Sequence, residues 1–225
     1  MKLFSRSRSS LANRVPPGAL RTYLSTAPPD PSTPLAAARL LAIDMETTGL
    51  DPATDHVLSV GFVPVDGELI QLSGAREILV RPEGEVGESA RFHGLTDDSL
   101  LPGVGLAEAL DVVLSALTGR VLLAHHAALE GGFLAQACET LYGVRPSFDV
   151  VDTMSLQYAL LSQGYDDEPP QGSLRLWAAR GQFGLPRYAA HAALTDALVC
   201  AELYLAQVAE LQATRARTLK SVLKG

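Results

Sequence analysis

The stretch Asp44-Met-Glu46-Thr-Thr-Gly-Leu50 constrains the fold of this chain more than any other. It follows Arg39-Leu-Leu-Ala-Ile43, an apolar run that predicts a buried strand. Because side chains alternate between the two faces of a strand, Asp44 and Glu46 project to the same side. Neighbouring carboxylates repel each other, and a divalent cation bound by oxygen ligands relieves that repulsion. The stretch therefore predicts a cation site at a strand end, with a solvated acidic turn as the simpler alternative.

The composition is typical of a chain that folds into one α/β domain. The chain has 225 residues, of which 47% are hydrophobic, and this is enough to bury a sizeable core. No apolar run is long enough to span a bilayer. Cys138 and Cys200 lie in apolar helical patterns, which favours buried thiols over a disulfide. We therefore expect a cytoplasmic protein without a membrane segment, whose oligomeric state the sequence leaves open.

Charge is distributed unevenly along the chain. The net charge of −7 argues against binding to nucleic acid, but residues 1–29 and 211–225 carry basic side chains and no acids. We expect a basic, Pro-rich extension at residues 1–36 that contains a short helix at 18–24. The main domain is expected at residues 37–212, and a basic tail at 213–225.

Apolar patterns along the body predict a mixed sheet with helices on its faces. The first two strands are predicted at residues 40–44 and 57–65, and Asp66-Gly67 is typical of a hairpin turn. A third strand is predicted over residues 68–72 and 77–80. Two more strands, at 121–124 and 147–151, alternate with predicted helices at 108–117, 129–142, 154–161, 174–180 and 192–211.

Two further stretches place acids near the starts of predicted helices. The sequence Ala124-His125-His126-Ala-Ala-Leu-Glu130 puts Glu130 in the first turn of one helix, and His191-Ala-Ala-Leu-Thr-Asp196 puts Asp196 near the start of another. Acids at these positions commonly cap helices or favour the helix dipole. Their recurrence in the order D-x-E, E and H-x4-D is more informative than any one of them.

In this order the motifs resemble the DEDD 3′–5′ exonucleases with a histidine in the third motif, and more narrowly the epsilon proofreading subunit of bacterial DNA polymerase III. Asp44-x-Glu46-Thr-Thr-Gly-Leu is similar to the first motif and His191-x4-Asp196 to the third. Arg91-Phe-His93-Gly-Leu-Thr-Asp97 and Asp152-Thr-Met-Ser-Leu resemble segments beside the active site. The resemblance covers residues 38–210. It implies a ribonuclease H-like α/β fold with a central mixed five-stranded sheet flanked by helices.

The second motif departs from the family pattern. His126, Leu129 and Glu130 stand where the family usually has Asn, Phe and a metal-binding Asp. Glutamate keeps the charge and the ligand type but is one methylene longer, and magnesium demands near-ideal coordination geometry. We expect Glu130 still to bind the metal. The substitution could change the metal preference, or the chain could be an inactive relative of the family.

The resemblance implies two-metal phosphodiester hydrolysis with two divalent cations, Mg²⁺ or Mn²⁺. In this scheme Asp44 bridges both cations, Glu46 and Asp196 complete the site that carries the attacking water, and Glu130 serves the second cation. His191 is the expected general base, because an unperturbed histidine pKa of about 6.5 suits proton transfer at neutral pH. The resemblance also assigns substrate contacts to six residues: Thr47, Leu50, Glu88, His93, His126 and Phe133.

Three functions follow as hypotheses. The first is a metal-dependent 3′–5′ exonuclease acting on single-stranded or frayed DNA 3′ ends. The second is an RNA-trimming exoribonuclease of the same fold, and the third is a non-catalytic module that binds nucleic acid or a polymerase. The expected partners are DNA or RNA 3′ ends, with a DNA polymerase as a further candidate. The short segment after the last predicted helix favours a stand-alone enzyme.

Overall fold

The computed structural model describes residues 8–162, 168–189, 191–212 and 217–223, and its centre is a mixed six-stranded sheet. Its strands are β1 (Arg39–Thr47), β2 (Val57–Asp66), β3 (Leu69–Ile70), β4 (Arg76–Leu79), β5 (Val121–Ala124) and β6 (Val150–Asp152). β1 pairs with β2 antiparallel and with β5 parallel, and β5 pairs with β6 parallel. β3 and β4 both pair antiparallel with β2. The predicted α/β class and mixed sheet are confirmed.

The sheet has six strands rather than the predicted five because the third predicted strand is interrupted. A 3-10 turn, Leu72–Gly74, separates β3 from β4. The interruption lies beside Pro64 of β2, whose carbonyl accepts a hydrogen bond from the N–H of Gln71 at 2.8 Å. Proline has no N–H to donate on that same edge, so the ladder cannot continue past it. A proline therefore converts one long edge strand into two short ones.

The helices cover both faces of the sheet. They are α1 (Ala19–Ser25), α2 (Ala90–His93), α3 (Asp97–Leu100), α4 (Leu106–Leu117), α5 (Ala128–Tyr142), α6 (Thr153–Ser162), α7 (Leu176–Gln182) and α8 (Ala193–Gln212). The five predicted helices of the body are observed with ends that differ by at most two residues, and the helix expected at 18–24 is observed as α1. α2, α3 and a helical stretch within residues 8–12 are additional. None of the helices in the described residues is long and apolar enough to cross a membrane.

The two faces of β1 pack against different helices. Odd-numbered residues of the strand, such as Leu41 and Ile43, lie in a core with α1, α4 and α5. Even-numbered residues, Leu40 and Ala42, lie in a second core with α6 and α8. Because the alternation continues to the end of the strand, Asp44 is on the face that α8 covers.

Both ends of the described chain pack on the body. Leu20 and Leu24 of α1 are buried in the same core as α4. Near the C-terminus, Leu219 is buried on the opposite face, and its N–H donates to the carbonyl of Thr33 at 2.8 Å. Four of the basic residues in the predicted extension and tail lie outside the described residues: Lys2, Arg6, Arg215 and Lys224.

Candidate active site

Three carboxylates meet where β1 ends beneath the start of α8. Asp44 and Glu46 lie on β1, and Asp196 lies in the first turn of α8. Their ligand oxygens all lie within 4.8 Å of one another, so the three side chains form the acidic trio of this site. The trio fits a divalent cation, which binds several oxygen ligands at short distances.

A glycine brings α8 close enough to complete the trio. Gly61 of β2 lies opposite Asp44 in the β1–β2 ladder. A Cβ atom at this position would lie 2.1 Å from the backbone of Ala193 and Leu194, the first two residues of α8. The helix therefore rests directly on the strand backbone, which only glycine permits. This contact sets the depth at which Asp196 approaches β1.

The electrostatics of the trio are unfavourable without a cation. Burial raises the pKa of Asp44 well above its ordinary value, and the charges of Glu130, Asp196 and Glu46 add to the shift. Burial, with Asp196 and Glu77, raises the pKa of Glu46 to about 7. The pKa of Asp196 is also raised by burial, although the backbone N–H and the charge of His191 oppose the shift. Bound cations would reverse this preference for the protonated forms.

Glu130 is near the trio but outside it. The residue lies in the first turn of α5 and is 3% exposed. Burial raises its pKa to about 8, while its own backbone N–H lowers it and the charge of Asp152 raises it. Glu130 and Asp44 interact electrostatically, but the oxygens of Glu130 do not belong to the group that lies within 4.8 Å.

Two oxygens support the fit of this site to cations. Asp196 Oδ1 and Glu130 Oε2 are buried and have no hydrogen-bond partner in the described part of the chain. An unpaired carboxylate oxygen in the interior is costly. A divalent cation would give such oxygens the partner that the protein does not provide, so the residues present fit the metal that the sequence predicts.

His191 is held immediately before α8. Its backbone N–H donates to Asp196 Oδ2 at 2.9 Å, and its φ of 64° is in the left-handed region. Few residues other than glycine adopt this conformation, and it commonly marks functional positions. The histidine is exposed, so its position beside a ligand of the trio is accessible to water and substrate.

His126 has a similar backbone conformation at the start of α5. Its φ is 71°, and its N–H donates to Asp152 Oδ1 at 2.9 Å. Asp152 is 2% exposed and also accepts hydrogen bonds from the N–H of Met154 at 3.0 Å and from Ser155 Oγ at 2.9 Å. The acid at the end of β6 therefore fixes the turn that leads into the helix of Glu130.

His93 lies close enough to His191 for their charges to interact. Its Nδ1 accepts a hydrogen bond from the N–H of Leu95 at 3.0 Å, so the neutral ring carries its proton on Nε2. That Nε2 is buried and has no partner within the described residues. Burial lowers the pKa of His93, and the charge of His191 lowers it further. His93 thus presents a neutral N–H donor beside His191.

The remaining predicted contacts differ in their surroundings. Thr47 Oγ1 donates to the carbonyl of Gly49 at 2.6 Å, and Leu50 is 78% exposed at the tip of that turn. Glu88 is exposed and forms an ion pair with Arg91 at 3.7 Å. Phe133 is 3% exposed and packs in the core with Met45. Its burial argues against the predicted contact between Phe133 and a nucleotide.

Two residues near the site were not predicted from the sequence. Glu77 on β4 lies opposite Gly61, in the same cross-strand row as Asp44, and its charge acts on Glu46. Only the pairing of the strands reveals this position. Phe92, next to His93, is 72% exposed. An aromatic residue in an otherwise polar segment was the signal that could have identified it.

Comparison with known proteins agrees with this geometry. The family model of RNase_T, described as an exonuclease, matches residues 41–204. The chain is 31% identical over 173 residues to the DNA polymerase III epsilon subunit of Treponema pallidum, and the match covers 75% of each chain. It is 28% identical over 170 residues to the PolC-type DNA polymerase III of Thermotoga petrophila, covering 75% of this chain and spanning only 12% of that relative's length.

The fold is shared with a solved exonuclease. Exonuclease I of E. coli, in its zinc-bound complex with single-stranded DNA, superimposes with a TM-score of 0.64 at 16% sequence identity. The match covers 79% of this chain and 42% of that chain. The family match spans most of the sheet and includes all three residues of the acidic trio. The chain therefore belongs to the RNase_T exonuclease family, within the DEDD 3′–5′ exonucleases that carry a histidine in the third motif.

Proposed function

We propose that this chain is a metal-dependent 3′–5′ exonuclease that hydrolyses the terminal phosphodiester of single-stranded or frayed DNA. The acidic trio carries the proposal, because its three carboxylates converge within 4.8 Å beside an exposed histidine. Carboxylates this close are stable when they share a cation. The exposed histidine, His191, provides the proton acceptor that a hydrolytic site requires.

Asp44, Glu46 and Asp196 would hold one cation, and Glu130 together with Asp44 would serve a second. When bound, such cations supply a nucleophilic water at neutral pH and neutralise charge at the scissile phosphate. Glu130 must provide its carboxylate from outside the trio. We therefore propose that the second cation is bound more weakly, and that Mn²⁺ supports activity better than Mg²⁺ because magnesium tolerates less distortion.

His191 acts as the general base in this proposal. Its side chain is exposed, and the hydrogen bond from its N–H to Asp196 holds its backbone beside the trio. From this position it takes a proton from the attacking water. His93 stays neutral because burial lowers its pKa. Its Nε2–H is buried, so it would have to become exposed before it could donate to a phosphate oxygen of the substrate.

Two exposed apolar side chains would contact the terminal nucleotides. Leu50 is 78% exposed on the turn after β1, and Phe92 is 72% exposed next to His93. We propose that Leu50 wedges against the terminal base and that Phe92 stacks on a base, because aromatic rings bind single strands without regard to sequence. Thr47 and His126 remain proposed substrate contacts, and Glu88 contributes least because Arg91 already pairs with it.

Phe92→Ala tests the stacking directly. We expect the KM for a single-stranded oligonucleotide to rise about 5- to 100-fold, because one base–aromatic stack contributes about 1–3 kcal/mol, with little change in kcat. Leu72→Ala removes an apolar side chain of similar exposure, 65%, from the β3–β4 turn, and is the matched control. An unchanged KM in Phe92→Ala would remove this residue from the binding surface.

DNA is the proposed polymer because epsilon subunits are among the relatives and because the superimposed exonuclease I was solved with single-stranded DNA. We also propose a cytoplasmic location and a DNA polymerase as a candidate partner. The position of Glu130 outside the trio is the one observation that favours the alternative of a non-catalytic binding module.

The decisive experiment compares DNA and RNA of identical sequence, labelled at the 5′ end, with Mg²⁺, Mn²⁺ or EDTA. A ladder that shortens from the 3′ end, requires a cation and disappears in Asp44→Ala would establish the exonuclease. The polymer that is degraded faster identifies the substrate. Binding of oligonucleotides without cleavage under either cation would refute the exonuclease and support the non-catalytic module.

A further inference from the structure

A buried arginine lies behind the third motif. Arg180, near the end of α7, is 1% exposed. Arginine is almost never buried to this extent unless its charge is paired. None of the proposed catalytic steps uses this side chain, so its position calls for a separate explanation.

The contacts of Arg180 join three parts of the chain. Its Nη1 donates to the carbonyl of Val199 in α8 at 2.7 Å. Its Nη2 donates to the carbonyl of Pro186, in the loop between α7 and α8, at 2.8 Å and to Glu202 Oε2 of α8 at 2.8 Å. The planar guanidinium can satisfy several acceptors at once, which lysine cannot do. One side chain thus fastens the α7–α8 loop to the flank of α8.

Aromatic contacts close this arrangement. The guanidinium lies 5.5 Å from the ring centroids of both Trp177 and Tyr188. The hydroxyl of Tyr188 donates to Glu202 Oε1 at 3.1 Å, so Glu202 binds the arginine with one oxygen and the tyrosine with the other. The loop is therefore attached at Pro186 and at Tyr188, shortly before it reaches His191.

At its other end the same loop is attached to the trio. The N–H of His191 donates to Asp196 Oδ2. The charge of Arg180 also acts on Asp196: burial raises the pKa of this carboxyl, and Arg180 is among the groups that oppose the shift. His191 is thus placed between two fixed points, one provided by Arg180 and one by Asp196.

We propose that Arg180 is a positioning residue for the proposed exonuclease reaction, which holds the α7–α8 loop so that His191 stays beside the acidic trio. The proposal rests on the proposed function for its kinetic consequence but not for its structural one. Arg180 acts through His191 and does not contact the substrate.

Arg180→Lys keeps the charge and loses the planar donors. With single-stranded DNA we expect kcat to fall about tenfold or more, because general-base catalysis contributes about 10²–10⁴-fold when the base is positioned, whereas KM stays within about twofold. Tyr188→Phe removes only the hydroxyl bond to Glu202 and is expected to lower kcat in the same direction by less. It supplies the test if Arg180→Lys does not fold.

Arg120→Lys is the matched control. Arg120 is also largely buried, donates to the carbonyl of Leu40 at 3.1 Å and pairs with Asp66 at 2.6 Å, away from the trio. If Arg180 only stabilises the fold, both lysine variants will lose melting temperature and neither will lose kcat per folded molecule. That result would overturn the proposal.

Two further measurements separate this proposal from the proposed function. In a His191→Ala background, Arg180→Lys should cause no further loss of kcat, because residues that act through one another are not additive; an additive loss would contradict the proposal. Hydrogen exchange needs no activity: exchange in the α7–α8 loop should increase in Arg180→Lys and not in Arg120→Lys. If the wild type has no nuclease activity, the exonuclease assignment fails and the exchange result alone decides whether Arg180 holds the loop.

Discussion

The two halves of the acidic site are built in different ways. On the α8 side, Asp44, Glu46 and Asp196 converge within 4.8 Å, and a backbone contact at Gly61 sets the position of the helix. On the α5 side, Glu130 is buried outside that group and has an oxygen without a hydrogen-bond partner in the described residues. Backbone packing determines the first half, whereas the second half rests on a single carboxyl outside the trio.

This difference suggests how the site responds to change. The α8 half depends on close contact between a helix and a strand, so that any added atom there displaces a ligand. In the α5 half, the buried carboxyl of Glu130 has one oxygen without a hydrogen-bond partner in the described residues, and its pKa is raised to about 8. Changes to Glu130 should therefore alter metal preference and pH dependence while the trio stays in place.

Asp44→Ala should have the largest effect, because Asp44 is the residue that both halves share. We expect no detectable cleavage with either cation. The metal-free variant should unfold at the same or a higher temperature than wild type at pH 7, since burial and neighbouring acids disfavour the ionised form of Asp44. Thermal melts in EDTA and cleavage assays check the two expectations. Equal activity in variant and wild-type preparations would indicate a contaminating nuclease.

Gly61→Ala breaks the α8 half alone. The added Cβ would lie 2.1 Å from the backbone at the start of α8, so we expect a loss of about 1–3 kcal/mol in the free energy of unfolding. Cleavage per folded molecule should also fall, because Asp196 moves with the helix. Gly105→Ala, where nothing lies within 4 Å of the added atom, is the control. Full activity in Gly61→Ala would contradict the role of this contact.

Glu130→Asp sharpens the comparison from the α5 side. The shorter side chain restores the residue type usual in the second motif, and we expect the ratio of Mg²⁺ to Mn²⁺ activity to rise. Glu139→Asp, an exposed position on the same helix that pairs with Arg145, should leave the ratio unchanged. An identical ratio in Glu130→Asp and wild type would place Glu130 outside the metal shell.

In the metal-free protein, Glu130→Gln should act through the pH dependence of stability. The folded-state pKa of Glu130 is raised from 4.5 to about 8, so the stability it contributes is full below pH 4.5 and is lost as pH rises towards 8. The melting temperature of metal-free Glu130→Gln minus that of wild type should therefore increase from pH 5 to pH 8.

The informative quantity is the difference in melting temperature between Glu130→Gln and wild type. Burial lowers the pKa of His125 to about 4, so that residue acts in the opposite direction in both proteins and cancels. Melts at a series of pH values in EDTA measure the difference. If the melting temperature of Glu130→Gln minus that of wild type stays constant or decreases as pH rises, Glu130 is not buried as a protonated acid. Added Mn²⁺ should reduce the slope, because a cation favours the ionised carboxylate.

Much of the fold was predictable because its signals are local. The apolar run of β1, the helix-start acids and the helical patterns of α4, α5 and α8 depend on residues close together in sequence. The segments at 68–72 and 77–80 were counted as one strand because their separation depends on Pro64 in the neighbouring strand. The burial of Phe133 was missed because a helical aromatic residue can face either the core or the site until packing is known.

The sequence by itself determined that Asp44 and Glu46 share one face of a strand and that Glu130 and Asp196 begin helices, because strand alternation and helix starts are set by neighbouring residues. Only the tertiary structure decided which of these acids meet. Asp196 joins the trio because Gly61 lets α8 rest on β2. Glu130 stays outside, Glu77 approaches Glu46, and Arg180 holds the loop of His191, because each depends on packing between segments far apart in sequence.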